Sequence, residues 1–151
     1  MRVLQTVLFL LTGSAAAADV VIGEPDASAI RAVIEAQLAA FEQDDAMAAF
    51  AFASPGIRRS FATPEGFVGM VRQLYPVVYR PLTVRFLPPR LVDDQPIQVV
   101  EMSGRDGVVW MAIYWLQQQT DGTWLIDGCA LVPGRDVATD AGARNGSVAR
   151  T

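Results

Sequence analysis

The chain has 151 residues, with 12 basic and 16 acidic side chains, a net charge of −4, no histidine and a single cysteine, Cys129. The missing imidazole excludes Ser-His-Asp and Cys-His catalysis and histidine-ligated metals, and the lone cysteine excludes an intramolecular disulfide. An acidic chain without a basic cluster is no partner for nucleic acid or an anionic membrane surface, and the length suits one domain stabilised by its own apolar core.

Residues 1–18 read as a secretory signal peptide. Arg2 supplies the positive charge, residues 3–11 are mainly apolar, and Ala16 and Ala18 satisfy the small-residue rule for cleavage before Asp19. The apolar run is shorter than the roughly 20 residues that span a bilayer. The expected mature domain, residues 19–133, is therefore periplasmic or secreted and free of the membrane after cleavage. A small, polar, aperiodic stretch at 134–151 is expected to be a disordered tail.

Pro25 and Asp26 open a predicted helix over 26–43, with Ser28 as an alternative cap. Ile30, Val33, Ile34, Leu38 and Phe41 repeat along it at helical spacing, and Gln37 falls on the same stripe. Asp44-Asp45 interrupts, one of them capping a second, short helix over 46–53. Ser54-Pro55 and Thr63-Pro64 each place a capping side chain before a proline suited to the first helical turn. Phe67, Met70, Val71 and Leu74 then mark a further helix that should end before Pro76.

From Leu82 the period changes to two. Residues 82–87 and 90–92 predict a first strand broken by Pro88-Pro89, which belongs at an edge or a bulge. Residues 97–103, 108–119 and 123–132 predict three more, joined at Asp106-Gly107 and Asp121-Gly122. Two-residue loops at both turns would pair Met102 with Met111 and Leu116 with Asp127. The face toward the helices would then carry Gln98, Val100, Met102, Met111, Ile113, Trp115, Trp124, Ile126 and Ala130. Ile97, Val99, Glu101, Trp110, Tyr114, Leu116, Leu125, Asp127, Cys129 and Leu131 would form the outer face. A single bulge would swap part of this assignment. The outer set is too apolar for plain exposure, so a homodimer through it is expected.

The Asp121-Gly122-x-Trp124-x-Ile126 hairpin resembles the last hairpin of the nuclear-transport-factor-two-like superfamily. The Asp44-Asp45 helix end, Phe52-Ala53-Ser54-Pro55, the segment 67–75 and Gly128-Cys129 together look like an uncharacterised branch of it among secreted bacterial proteins. The resemblance covers residues 30–133. It implies an α+β fold, with N-terminal helices on a curved four-stranded antiparallel meander (a cystatin-like cone). It implies fold far more than function, because the superfamily holds isomerases and dehydratases beside non-enzymatic binding and assembly domains.

Two functional readings follow. The first is a small-ligand-binding or assembly module without catalysis, cofactor or metal. Its pocket would hold Gln37, Gln98 and Trp115, with Tyr75, Tyr79 and Arg80 at the mouth, and its ligand would be small and apolar. The two amides have a plainer role open to them, satisfying each other or a backbone group. The second is an isomerase or dehydratase with Asp127 as base and Tyr114 as donor to an oxyanion. The expected strand faces put that pair away from the interior. Cys129 reads as a buried thiol.

Overall fold

The computed structural model describes residues 20–134. The expected signal peptide, and all of the expected tail except Gly134, lie outside them. Six strands form one antiparallel sheet with helices packed against it, an α+β architecture.

Helix α1, Asp26–Glu42, buries Ile30, Val33, Ile34, Gln37 and Phe41 of the predicted stripe, with Leu38 half-buried and Ala40 taking a buried place beside them. It is the central helical contact of the sheet. Three short helices follow, each opened by a side-chain cap that satisfies an otherwise orphaned N–H group. Asp45 accepts from Ala48 N (3.0 Å) at α2, Ala46–Ala51. Ser54 accepts from Ile57 N (3.2 Å) at α3, Pro55–Ser60. Thr63 accepts from Gly66 N (3.1 Å) at α4, Pro64–Leu74, which buries Phe67, Val68 and Val71. Pro76 ends α4 as expected and also begins α5, Pro76–Tyr79, a turn that sequence periodicity is too short to reveal.

The strands are β1, Val20–Val21; β2, Thr83–Phe86; β3, Arg90–Val92; β4, Gln95–Ser103; β5, Val109–Gln118; and β6, Trp124–Pro133. Their order is β1-β3-β4-β5-β6, with β2 pairing β4 beside β3. The expected first strand is thus two strands on one edge of β4, parted at Pro88-Pro89, which have no N–H to give the ladder. β1 is a further short strand, paired as Val20 with Leu91 and Val21 with Arg90. Six strands replace the four expected.

Both hairpin loops are longer than two residues, and this corrects the strand faces. Gly107 N donates to Gly104 O (3.1 Å), closing a turn inside a loop of residues 104–108, with Gly107 at φ 75°. Met102 therefore pairs with Trp110, not with Met111. A one-residue slip turns every side chain of β5 over. At the second hairpin, Gln119 N donates to Thr123 O (2.7 Å) around residues 120–122, with Gly122 at φ 86°. Leu116 pairs with Ile126 while Trp115 pairs with Gly128, so Asp127 is the extra residue of a β-bulge.

Trp110, Ala112, Tyr114, Leu116, Cys129 and Leu131 consequently pack toward the helices, against expectation. Met111, Ile113, Trp115 and Ala130 share the opposite face with Ile97, Val99 and Glu101. Gln98, Val100, Met102, Trp124 and Ile126 sit in the interior as expected.

Candidate functional site

The sequence sets a second junction at the bulge. Ser54 N donates to Ile126 O (2.8 Å), and Ile126 N donates to Phe52 O (2.9 Å), so the chain leading into α3 runs alongside β6. Asp127, displaced by the bulge, accepts a 2.6 Å hydrogen bond from Ser54 Oγ. Ser54 is itself fully buried. One hydroxyl thus caps α3 and ties it to the sheet.

Between α1, α3, α4 and the inner face of β5 and β6 lies a cavity of about 240 Å³. It exceeds the roughly 150 Å³ apolar void that admits benzene. Phe41, Phe67, Val71 and Ile126 make its buried wall, and Ile57, Phe61, Met70 and Tyr75 its half-buried rim. The polar groups are few. Gln37 donates its amide nitrogen to Ala49 O (3.0 Å), which turns the carbonyl oxygen of the amide away from that backbone. Asp127 is exposed and lines the mouth.

Tyr114 and Cys129 face each other across β5 and β6 on the cavity wall. Tyr114 is 1% exposed, and its hydroxyl is shut off from water with the Cys129 thiol, a weak partner, as its polar neighbour. Burial pushes its ionisation well above the usual tyrosine range, so the group is a neutral phenol and a donor. Burial likewise pushes the Cys129 thiol up to about 12, which removes it as a nucleophile at neutral pH.

The structure separates the expected pocket residues. Gln37 and Tyr75 line this cavity. Gln98 does not: its amide nitrogen donates to Leu87 O and Val99 O, satisfying carbonyls where β2 breaks from β3. Trp115 lies on the outer face against Gly128, where an added Cβ would come within 3.2 Å of the indole. Tyr79 and Arg80 turn to the end of α1. The Tyr79 hydroxyl donates to Asp44, while Arg80 donates to Asp44 Oδ1 (2.8 Å) and to Phe41 O. Asp44 and Arg80 thereby close the orphaned C-terminal end of α1. Beside them an exposed cleft is bordered by Arg31, Glu35, Arg85 and Phe86. Arg31 pairs with Glu35 (2.7 Å) and Arg85 with Glu101 (2.7 Å), so its cations are already matched.

Tyr114, Asp127 and Cys129 were expected on the outer face, and they are the residues that reach the cavity. The signal was Asp127-Gly128 in the middle of a strand, a pair that weakens a ladder and marks a bulge. Among the described residues there is no cluster of three metal-ligating side chains, and no helix is long and apolar enough to cross a membrane.

Fold and site define an α+β domain with a mainly apolar cavity between helices and sheet. The chain belongs to the family described as Domain of unknown function (DUF4864), whose model matches residues 23–139. No curated protein and no solved structure gives a significant match.

Proposed function

We propose that this protein binds a small apolar ligand in the cavity behind β5 and β6. The carrying observation is a space of about 240 Å³ whose wall is mainly apolar, with Phe41, Phe67, Val71 and Ile126 on its buried side. A pocket with apolar walls and few polar groups is the usual form of a small-molecule site. The probe for this reading is ethylbenzene, followed by amide shifts in NMR spectra of the domain. Saturable shifts at Phe67, Val71 and Ile126 are expected, and they should vanish in Met70→Trp, which fills the rim. Shifts spread evenly over the surface would refute the reading.

The same wall supports an isomerase as second reading, because Asp127 and Tyr114 line one cavity. The carboxylate would remove a proton next to a carbonyl, and the phenol would stabilise the enolate oxygen. Catalysed exchange of acetophenone methyl protons in D2O, lost in Asp127→Asn, would establish it; no exchange above the buffer rate leaves the binding role alone.

The proposed setting of this activity is outside the cytoplasm, supported by the signal-peptide pattern of residues 1–18. N-terminal sequencing of the exported protein should begin at Asp19. The proposed superfamily is the nuclear-transport-factor-two-like one, with its cone-shaped sheet. Its support is the order of helices before an antiparallel meander and the closing Asp121-Gly122-x-Trp124 hairpin. The proposed assembly is a homodimer through the outer sheet face.

A further inference from the structure

At the mouth of the cavity the chain sets two opposite charges around a glycine. Gly56, in the first turn of α3, precedes Ile57, and Ile57 and Asp127 both line the cavity. A Cβ placed on Gly56 would stand 3.6 Å from Ser54 Oγ, 3.8 Å from Asp127 Oδ1 and 4.0 Å from Arg59 Nη2, all at ordinary contact distance. Hydroxyl, carboxylate and guanidinium thus converge on one point where glycine puts no side chain. Asp127 Oδ1 accepts from Ser54 Oγ (2.6 Å), and its Oδ2 has no hydrogen-bond partner among the described residues. Arg59 is exposed and makes no ion pair among them.

We infer that the ligand of this cavity carries an uncharged head with both a donor and an acceptor, of the primary-amide class, that its N–H group donates to Asp127, and that Arg59 donates to its carbonyl oxygen. This rests on the binding role proposed above and adds the chemistry of the ligand's outer end.

The pattern of charge sets the class of head. A carboxylate would meet Arg59 but lie about as near to Asp127, and an ammonium group would meet Asp127 but lie about as near to Arg59. For either ion, attraction and repulsion at similar range largely cancel. A primary amide carries a donor and an acceptor on one carbon. It takes a charge-assisted hydrogen bond from each side without a like-charge contact, and it costs less to strip of water than an ion does. Placing a like charge beside the partner of each ion is discrimination by repulsion. The inner wall asks only for an apolar body, because Phe41, Phe67, Val71 and Ile126 line it and no arginine does.

Four probes with a phenyl body separate the parts, each titrated into the domain by NMR at low salt: ethylbenzene, hydrocinnamamide, hydrocinnamate and phenylpropylamine. The amide should bind about five- to ten-fold more tightly than either ion, the worth of one hydrogen bond. Arg59→Gln should weaken hydrocinnamate and strengthen phenylpropylamine, each about three-fold, and Asp127→Asn should do the reverse. Gly56→Ala fills the shared point on a helical backbone that accepts alanine. It should bring the amide down to the level of the ions and leave ethylbenzene binding unchanged. Equal binding of the amide and the two ions by the wild type overturns the inference, as does the absence of opposite shifts in Arg59→Gln and Asp127→Asn. If ethylbenzene binds and this ranking fails, the cavity reading survives alone. If none of the four binds, both readings fall.

Discussion

Two side chains carry opposite kinds of polar burden. Tyr114 holds a hydroxyl in the interior with only the weakly accepting Cys129 thiol beside it among the described residues, and a poorly satisfied buried donor costs about 1–3 kcal/mol relative to an apolar group of the same shape. Tyr114→Phe should therefore raise the stability of the ligand-free protein by about 1 kcal/mol, read as a higher denaturant midpoint with an unchanged slope. A loss of stability would mean that the hydroxyl is satisfied in solution. Asp44 shows the converse. Its backbone is left-handed at φ 55°, and its carboxylate is lowered from the ordinary value of 3.8 first by the Tyr79 hydroxyl and then by Arg80. A carboxyl group lowered on folding contributes stability above its unfolded value, and loses that contribution as pH falls through the folded one. Asparagine tolerates the same backbone. The stability difference between wild type and Asp44→Asn should accordingly be constant from pH 7 to about 5 and shrink below about 3.8. A difference that is flat down to pH 2 would remove the carboxylate from the account.

At the scale of elements, legibility followed how local the determining interaction is. The helices were readable because each cap, Asp45, Ser54 and Thr63, bonds an N–H group three residues away. The break at Pro88-Pro89 was readable because proline lacks the N–H itself. The faces of β5 and β6 were not, because they depend on loop length. Asp106-Gly107 and Asp121-Gly122 announce a turn, but the residues around Gly107 and Gly122 set whether two or more residues close it. A one-residue slip of register carried Tyr114 from the expected outer face to the inner one, and the bulge at Asp127 brought Asp127 to the cavity as well. Gln37 was legible from its place on the stripe of α1, whereas the partner of Gln98 lay at a strand break no periodicity describes. The junction of α3 with β6 is the element most exposed to test. α3 has no fully buried residue, so the Ser54 hydroxyl and the half-buried Ile57 share its attachment. Ser54→Ala removes both the cap and the bond to Asp127, and should cost about 1–2 kcal/mol. Asp127→Ala should cost less on the Ser54→Ala background than on the wild type, the shortfall measuring the bond in a double-mutant cycle. Strict additivity of the two variants would show that the hydrogen bond contributes nothing.

At the scale of the whole molecule, the proposed homodimer turns on the outer sheet face. Its composition differs from the one the sequence suggested: Trp110, Tyr114 and Leu116 have gone inside, and Ile113, Trp115 and Ala130 have come out beside Ile97 and Val99. The apolar character survives the exchange because β5 is apolar on both faces. Ile97 and Met111 on the outer face are 9% and 6% exposed and lie outside the main core. Arg85 and Glu101 bound it with a two-point ion pair, at 3.1 and 2.7 Å. An apolar centre with a polar border is the make-up of a homodimer interface, and a two-fold axis lets one such patch cover its copy. A charge at Tyr114 or Leu116 would now enter the core and unfold the domain rather than part a dimer. A charge at Ile113 sits on the outer face and leaves the helical layer intact. Wild-type protein at micromolar concentration should sediment as a dimer, and Ile113→Asp as a folded monomer with an unchanged circular dichroism spectrum, because each copy would otherwise bury an unpaired carboxylate against the other. A wild-type monomer under these conditions would overturn the homodimer, and a dimer that withstands Ile113→Asp would place its contact on another face.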